Sequence, residues 1–226
     1  MTLTQLRLAR GVVAAVALAL ATACTDGKAG TSEEMHHHAT AAGTPATSKA
    51  ADLRAALDEL LSEHVVLASE ATGAALAGRQ ADFEAAAGAL DQNSIAISKA
   101  VGSVYGPDAE AKFLPLWRSH IGLVVDYTTG TASHDPVKAQ AAVQKLLAYS
   151  GDLAGFFSGA NPNLPKDAVA DMVKTHIVTL KSVIDAQAKK DYAAQYEAQR
   201  KAYAHMGMMA VALAEGIAKQ FPQKFS

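Results

Sequence analysis

Cysteine is nearly missing from this 226-residue chain, with Cys24 the only one. A disulfide framework within one chain is therefore excluded, and beyond position 24 no thiolate can act as nucleophile or metal ligand. Basic stripes are missing too. The 20 Lys and Arg are set against 22 Asp and Glu, and aromatics make up only 6% of residues, so nothing argues for a nucleic-acid partner. Strand formers nowhere alternate with polar residues between turn signals. Catalytic signatures are also absent: there is no Gly-x-Ser-x-Gly, no P-loop, no Gly-x-Gly-x-x-Gly and no His-Glu-x-x-His. Ser119 and His120 are adjacent, but helical neighbours point about 100° apart and do not form a nucleophile and base pair. An enzyme is not expected.

Half the residues are apolar, and alanine leads a composition rich in Leu, Glu, Lys and Gln, the strong helix formers. The first residues form a targeting pattern. Arg7 and Arg10 give a positive start, and Gly11 to Ala23 is an uninterrupted apolar run. It is too short to span a bilayer, which needs roughly 20 apolar residues. Leu20-Ala21-Thr22-Ala23-Cys24 follows and resembles the bacterial lipobox, with Leu one place earlier than the usual motif. The resemblance implies that residues 1–23 are a signal peptide, that Cys24 becomes the mature N-terminus, and that a lipid on it anchors the protein to a membrane on the extracytoplasmic side of the cell envelope. An ordinary signal peptide cleaved near Ala23 is the alternative.

Residues 24–47 are rich in Thr, Ser, Gly, Ala and Pro and read as a flexible tether, within which lies Met35-His36-His37-His38. That tract is either an accessory arm that captures metal or a plain polar run. From Ser48 to residue 226 the apolar residues recur at three and four, as in Leu53, Leu57, Leu60, Leu61 and Leu67. Breaks at Gly78-Arg79-Gln80, Gly106-Pro107, His134-Asp135-Pro136, Asn161-Pro162-Asn163-Leu164-Pro165 and Lys189-Lys190-Asp191 divide this stretch into six helices. They fall near 49–77, 82–104, 108–132, 136–159, 165–188 and 191–219, with Asp82, Asp135 and Asp191 as N-caps. The expected fold is an all-α six-helix bundle of three tandem antiparallel hairpins.

A repeat underlies this division. His64, His120 and His176 are each 56 residues apart, in the frames Leu61-Ser62-Glu63-His64-Val65, Trp117-Arg118-Ser119-His120-Ile121 and Val173-Lys174-Thr175-His176-Ile177. Each histidine falls on the apolar stripe of its helix. If the hairpins stack in parallel, equal position in the repeat means equal height. His205 comes to the same level by counting from the turn at Lys190, and Asn93 and Tyr149 take its place in the other hairpins. Met172 lies one turn before His176, and Met208 and Met209 one turn after His205.

The expected metal-binding set is therefore His64, His120, His176, His205, Met172, Met208 and Met209. Imidazole and thioether without thiolate suit copper, particularly Cu(I), which tolerates low coordination. Imidazole alone also accepts Zn²⁺ or Ni²⁺. Ring nitrogens about 3–4 Å apart would mark a coordination sphere, given metal–nitrogen bonds near 2 Å. The competing reading makes the histidines structural and the methionines core filler. A ferritin-like di-iron centre needs Glu-x-x-His on facing helices, and that motif does not occur in the helical stretch from Ser48 onward. Glu70 and Asp126, six residues after their histidines, face away from them. Non-covalent haem held by His or Met stays open, whereas covalent c-type attachment lacks its Cys-x-x-Cys-His. His134 falls at a turn and should be exposed.

The leader, Cys24 and the three histidine frames together resemble bacterial envelope lipoproteins of uncharacterised function built from helical hairpins with His-bearing helices. The functional expectation is a non-enzymatic metal-binding lipoprotein that sequesters or delivers copper through a buried His/Met layer. The alternatives are a structural or interaction module and a carrier of haem or another small molecule.

Overall fold

The computed structural model describes residues 48–226. The leader with Cys24, the tether and the Met35-His36-His37-His38 tract lie outside the described residues. The described chain is an all-α helical bundle with helices α1 (Lys49–Leu76), α2 (Gln80–Tyr105), α3 (Pro107–Ala132), α4 (Pro136–Ala160), α5 (Lys166–Lys189), α6 (Tyr192–Gln220) and the short α7 (Pro222–Phe225). No helix among the described residues is long and apolar enough to cross a membrane.

Local chemistry sets these boundaries. The Ser48 hydroxyl accepts the Ala51 N–H at 3.2 Å, the Asp135 carboxylate that of Lys138 at 2.9 Å, and the Asp191 carboxylate that of Ala194 at 3.1 Å. Each satisfies one of the free donors of a first helical turn. Asp82 does not cap. α2 begins two residues earlier, at Gln80, and Asp82 instead lies in its first turn, 2.9 Å from the Arg79 guanidinium. A first-turn carboxylate still favours the helix through its dipole. Four connecting residues among those described have positive φ: Gly78 (70°) after α1, Gly106 (92°) after α2, His134 after α3 and Lys190 (56°) after α5. Glycine carries no Cβ penalty there. His134 (φ 54°) sits exposed at the α3–α4 turn, as its sequence position implied.

Consecutive helices pack side by side through short connections, and α6 packs against α1, so the six long helices form a closed ring. α1, α3 and α5 also touch one another inside that ring. The apolar stripes that meet there run in step. Leu57, Phe113 and Val169 are buried at one level, and Leu61, Trp117 and Val173 at the next. Members of each set are 56 residues apart. Next along these helices come His64, His120 and His176, also buried. Spacing in the chain has thus become height in the bundle, because three parallel helices with the same apolar phase present equivalent residues to one central line.

Candidate metal centre

His64 projects from α1, His120 from α3 and His176 from α5, with 1%, 3% and 6% of their surface exposed. Nε2 of His64 and Nε2 of His120 are 3.4 Å apart. One ring nitrogen from each of the three histidines lies within 4.8 Å of the others. Ligand nitrogens about 2.0 Å from one metal ion and 120° apart stand about 3.5 Å from each other. The His64–His120 pair already has that separation, and the His176 nitrogen lies within 4.8 Å of both. Trp117 packs on both His64 and His120, at ring-centroid distances of 4.9 and 4.7 Å, and Tyr149 lies 5.0 Å from His120. The Asn93 amide donates to the Leu60 carbonyl at 2.9 Å and to the Glu63 carboxylate at 2.7 Å. It ties the layer to one surface acid.

Buried polar atoms in folded proteins are nearly always hydrogen-bonded. Here they are not. Nδ1 of His64, Oδ1 of Asn93, Nε1 of Trp117, Nδ1 of His120, the hydroxyl of Tyr149 and both ring nitrogens of His176 are buried without a hydrogen-bond partner. Among the described residues the only other such side-chain atom is Oε1 of Gln220. The unmet hydrogen-bonding capacity of the core is thus gathered in one layer. Burial holds all three imidazoles in the neutral, metal-ready form. It pushes His64 well below its usual value, helped by repulsion from His120 and His176. His120 falls to about 3 through burial and then the nearby His176. His176 falls to about 4 through burial and then His205. Burial likewise raises the Tyr149 hydroxyl, keeping it protonated.

The other expected ligands stand elsewhere. His205 is buried beside His176, but its ring Nε2 is bound to the Met172 carbonyl oxygen at 2.8 Å and is not part of the converging set. Met208 has 61% of its surface exposed and is not a buried ligand. The buried stripe of α6 runs through Ala202, His205, Met206, Met209 and Leu213. At about 100° per residue Met208 lies roughly 140° from the centre of that stripe, facing water. Met172 and Met209 line a separate apolar cavity of about 40 Å³ with Leu57, Leu61, Trp117 and Val169. Met208 is therefore corrected to a solvent-facing residue, and the residues that converge are His64, His120 and His176. Glu70 and Asp126 are exposed, in keeping with their expected outward placement.

Sequence reasoning missed two features of the site. Trp117, which walls the imidazoles, was legible only as an apolar residue three before His120. A cavity of about 450 Å³, between α1, α2 and α3, has His64 and His120 among its lining residues and left no sequence signal at all. Protein-family models, curated proteins and solved structures were compared with the chain, and none matches it.

Proposed function

We propose that this protein is an extracytoplasmic metal-binding lipoprotein that holds one cuprous ion between His64, His120 and His176, for copper sequestration or delivery. The observation that carries the reading is the convergence of three buried, neutral imidazoles in a layer that holds seven of the eight buried side-chain polar atoms without a hydrogen-bond partner among the described residues. A bound ion takes up the ring nitrogens that face one another. It also fixes each ring, whose second nitrogen then donates outward as metal-bound histidines do. Asn93, held by Glu63, stands ready for His64 in that role.

Charge favours Cu(I) over a divalent ion. No carboxylate enters the layer, and the cost of burying an ion rises with the square of its charge. Three neutral imidazoles suit a singly charged ion of low coordination number. The apolar leader and the lipobox-like segment ending at Cys24 support the envelope location and the lipid anchor.

The test is an anaerobic Cu(I) titration against a chromophoric competitor. It uses the full chain carrying His36→Ala, His37→Ala and His38→Ala, so that the tether tract contributes nothing. One equivalent should bind and raise the Tm, since a ligand specific for the folded state stabilises it by mass action. His120→Leu should abolish both effects. No bound copper, or undiminished binding in His120→Leu, removes the proposal. Zn²⁺ in a parallel titration reports the metal preference.

A further inference from the structure

We infer that the bound ion keeps one coordination position open toward the α1–α2–α3 cavity, and that this chamber takes a small uncharged molecule with a single nitrogen donor and an apolar body. The inference rests on the metal site proposed above. Three histidine ligands leave a fourth position free, as in metal sites that bind an exogenous ligand. Among the described residues, no further His, Cys, Asp or Glu joins the three-histidine group. Nε2 of His205 is bound to the Met172 carbonyl, and Met172 and Met209 line a different cavity. The open direction is set by which rings border the chamber. His64 and His120 line it, whereas α5 reaches it only through Leu180, one turn past His176, so His176 backs the ion and the free face looks out between the other two.

The chamber has the dimensions and the chemistry of a ligand site. Its volume of about 450 Å³ falls within the range of small-molecule pockets, about 300–1,000 Å³. Phe83, Ala87, Ile121 and Val124 make its walls apolar. The charged residues that border it, Asp91 and Arg118, neutralise each other through two hydrogen bonds of 2.7 and 2.8 Å. A charged ligand therefore finds no counter-charge there, while an apolar body gains from leaving water.

The full chain bearing the three tether substitutions is loaded with Cu(I) under carbon monoxide, and the infrared C–O stretch of the copper adduct is recorded. The band is then titrated away with imidazole and, separately, with 4-phenylimidazole. We expect a band, and its displacement by 4-phenylimidazole at a concentration at least about tenfold lower, because the phenyl ring is buried against the apolar walls. Ala87→Trp fills the chamber and should keep stoichiometric copper while losing that tenfold preference. Val125→Trp, from the α3 wall, serves the same purpose if the first variant does not fold. Copper retained without a carbonyl band means a closed coordination sphere and overturns the inference. Equal displacement by the two imidazoles overturns it as well. Loss of copper itself withdraws the metal site, and this inference with it.

Discussion

α1 carries two buried polar clusters that make opposite use of the same core. Toward its C-terminal end, Ser69 and Thr72 meet Gln187 from α5. The Gln187 amide donates to the Ser69 carbonyl at 2.9 Å and lies 3.3 Å from its hydroxyl, and the Thr72 hydroxyl donates to Oε1 of Gln187 at 2.9 Å. Every side-chain polar atom of that cluster has a partner. At His64 the same three inner helices supply imidazoles, with the Tyr149 hydroxyl and the Trp117 indole beside them, and polar atoms are left over. The chain evidently builds a satisfied polar joint where it needs only a joint. Unpaired donors and acceptors lower stability unless something completes them, and on the proposed function a bound ion is what completes the histidine layer.

The largest test of this contrast is acid. Each of the three rings titrates below its unfolded value of about 6.5. Below that pH the unfolded chain takes up protons that the folded chain refuses, so stability falls with pH. Urea unfolding of the metal-free protein should show full stability above about pH 6.5. From there stability should drop by up to about 1.4 kcal/mol per pH unit for each ring, levelling near pH 4 for His176 and pH 3 for His120. A flat profile between pH 6.5 and 4 contradicts the neutral, closed layer. The glutamine cluster holds no ionisable side chain and adds nothing to this slope.

Next in size is Gln187→Leu. It removes the three hydrogen bonds of Gln187 to Thr72 and Ser69, leaving the Thr72 hydroxyl its bond to the Ser69 carbonyl at 3.1 Å, and should cost about 1–3 kcal/mol in a denaturant melt, while Cu(I) affinity stays as it was. The matching substitution in the other cluster should behave in the opposite way. His176→Leu removes two unpaired buried nitrogens, so the metal-free protein should be unchanged or more stable by about 1–2 kcal/mol, with copper binding lost. If His176→Leu costs as much as Gln187→Leu, the ring is a structural element and the contrast collapses. The smallest effect is expected from Met172→Leu combined with Met209→Leu. These near-isosteric changes should each shift stability by under about 1.5 kcal/mol and leave copper binding unaltered. A drop in copper affinity would return sulfur to the ligand set.

The sequence made much of this legible, and for identifiable reasons. Pro136, Gly106 and the caps at Asp135 and Asp191 act within a turn of their own position, so the helix ends fell within about two residues of expectation. The level of the histidines was legible because an equal interval along parallel helices is an equal rise. Rotation about the helix axis was less secure. Met208 and Met209 both lie one turn after His205, and only packing against α1 and α5 decides that Met209 turns in and Met208 out. Asp82 looked like a cap, yet α2 starts two residues ahead of it. The cavity beside His64 and His120 depends on how far α1, α2 and α3 stand apart, a distance no single residue encodes.

The imidazoles come from three separate helices, and no two are closer than 56 positions in the chain. A nascent or unfolded polypeptide therefore offers an ion only one of these three rings at a time. Capture waits until α5 has docked against α1 and α3, and unfolding ends it in a single step. Cargo held in this way reports on the integrity of the whole ring of helices, and it is dropped as a unit wherever that ring is opened.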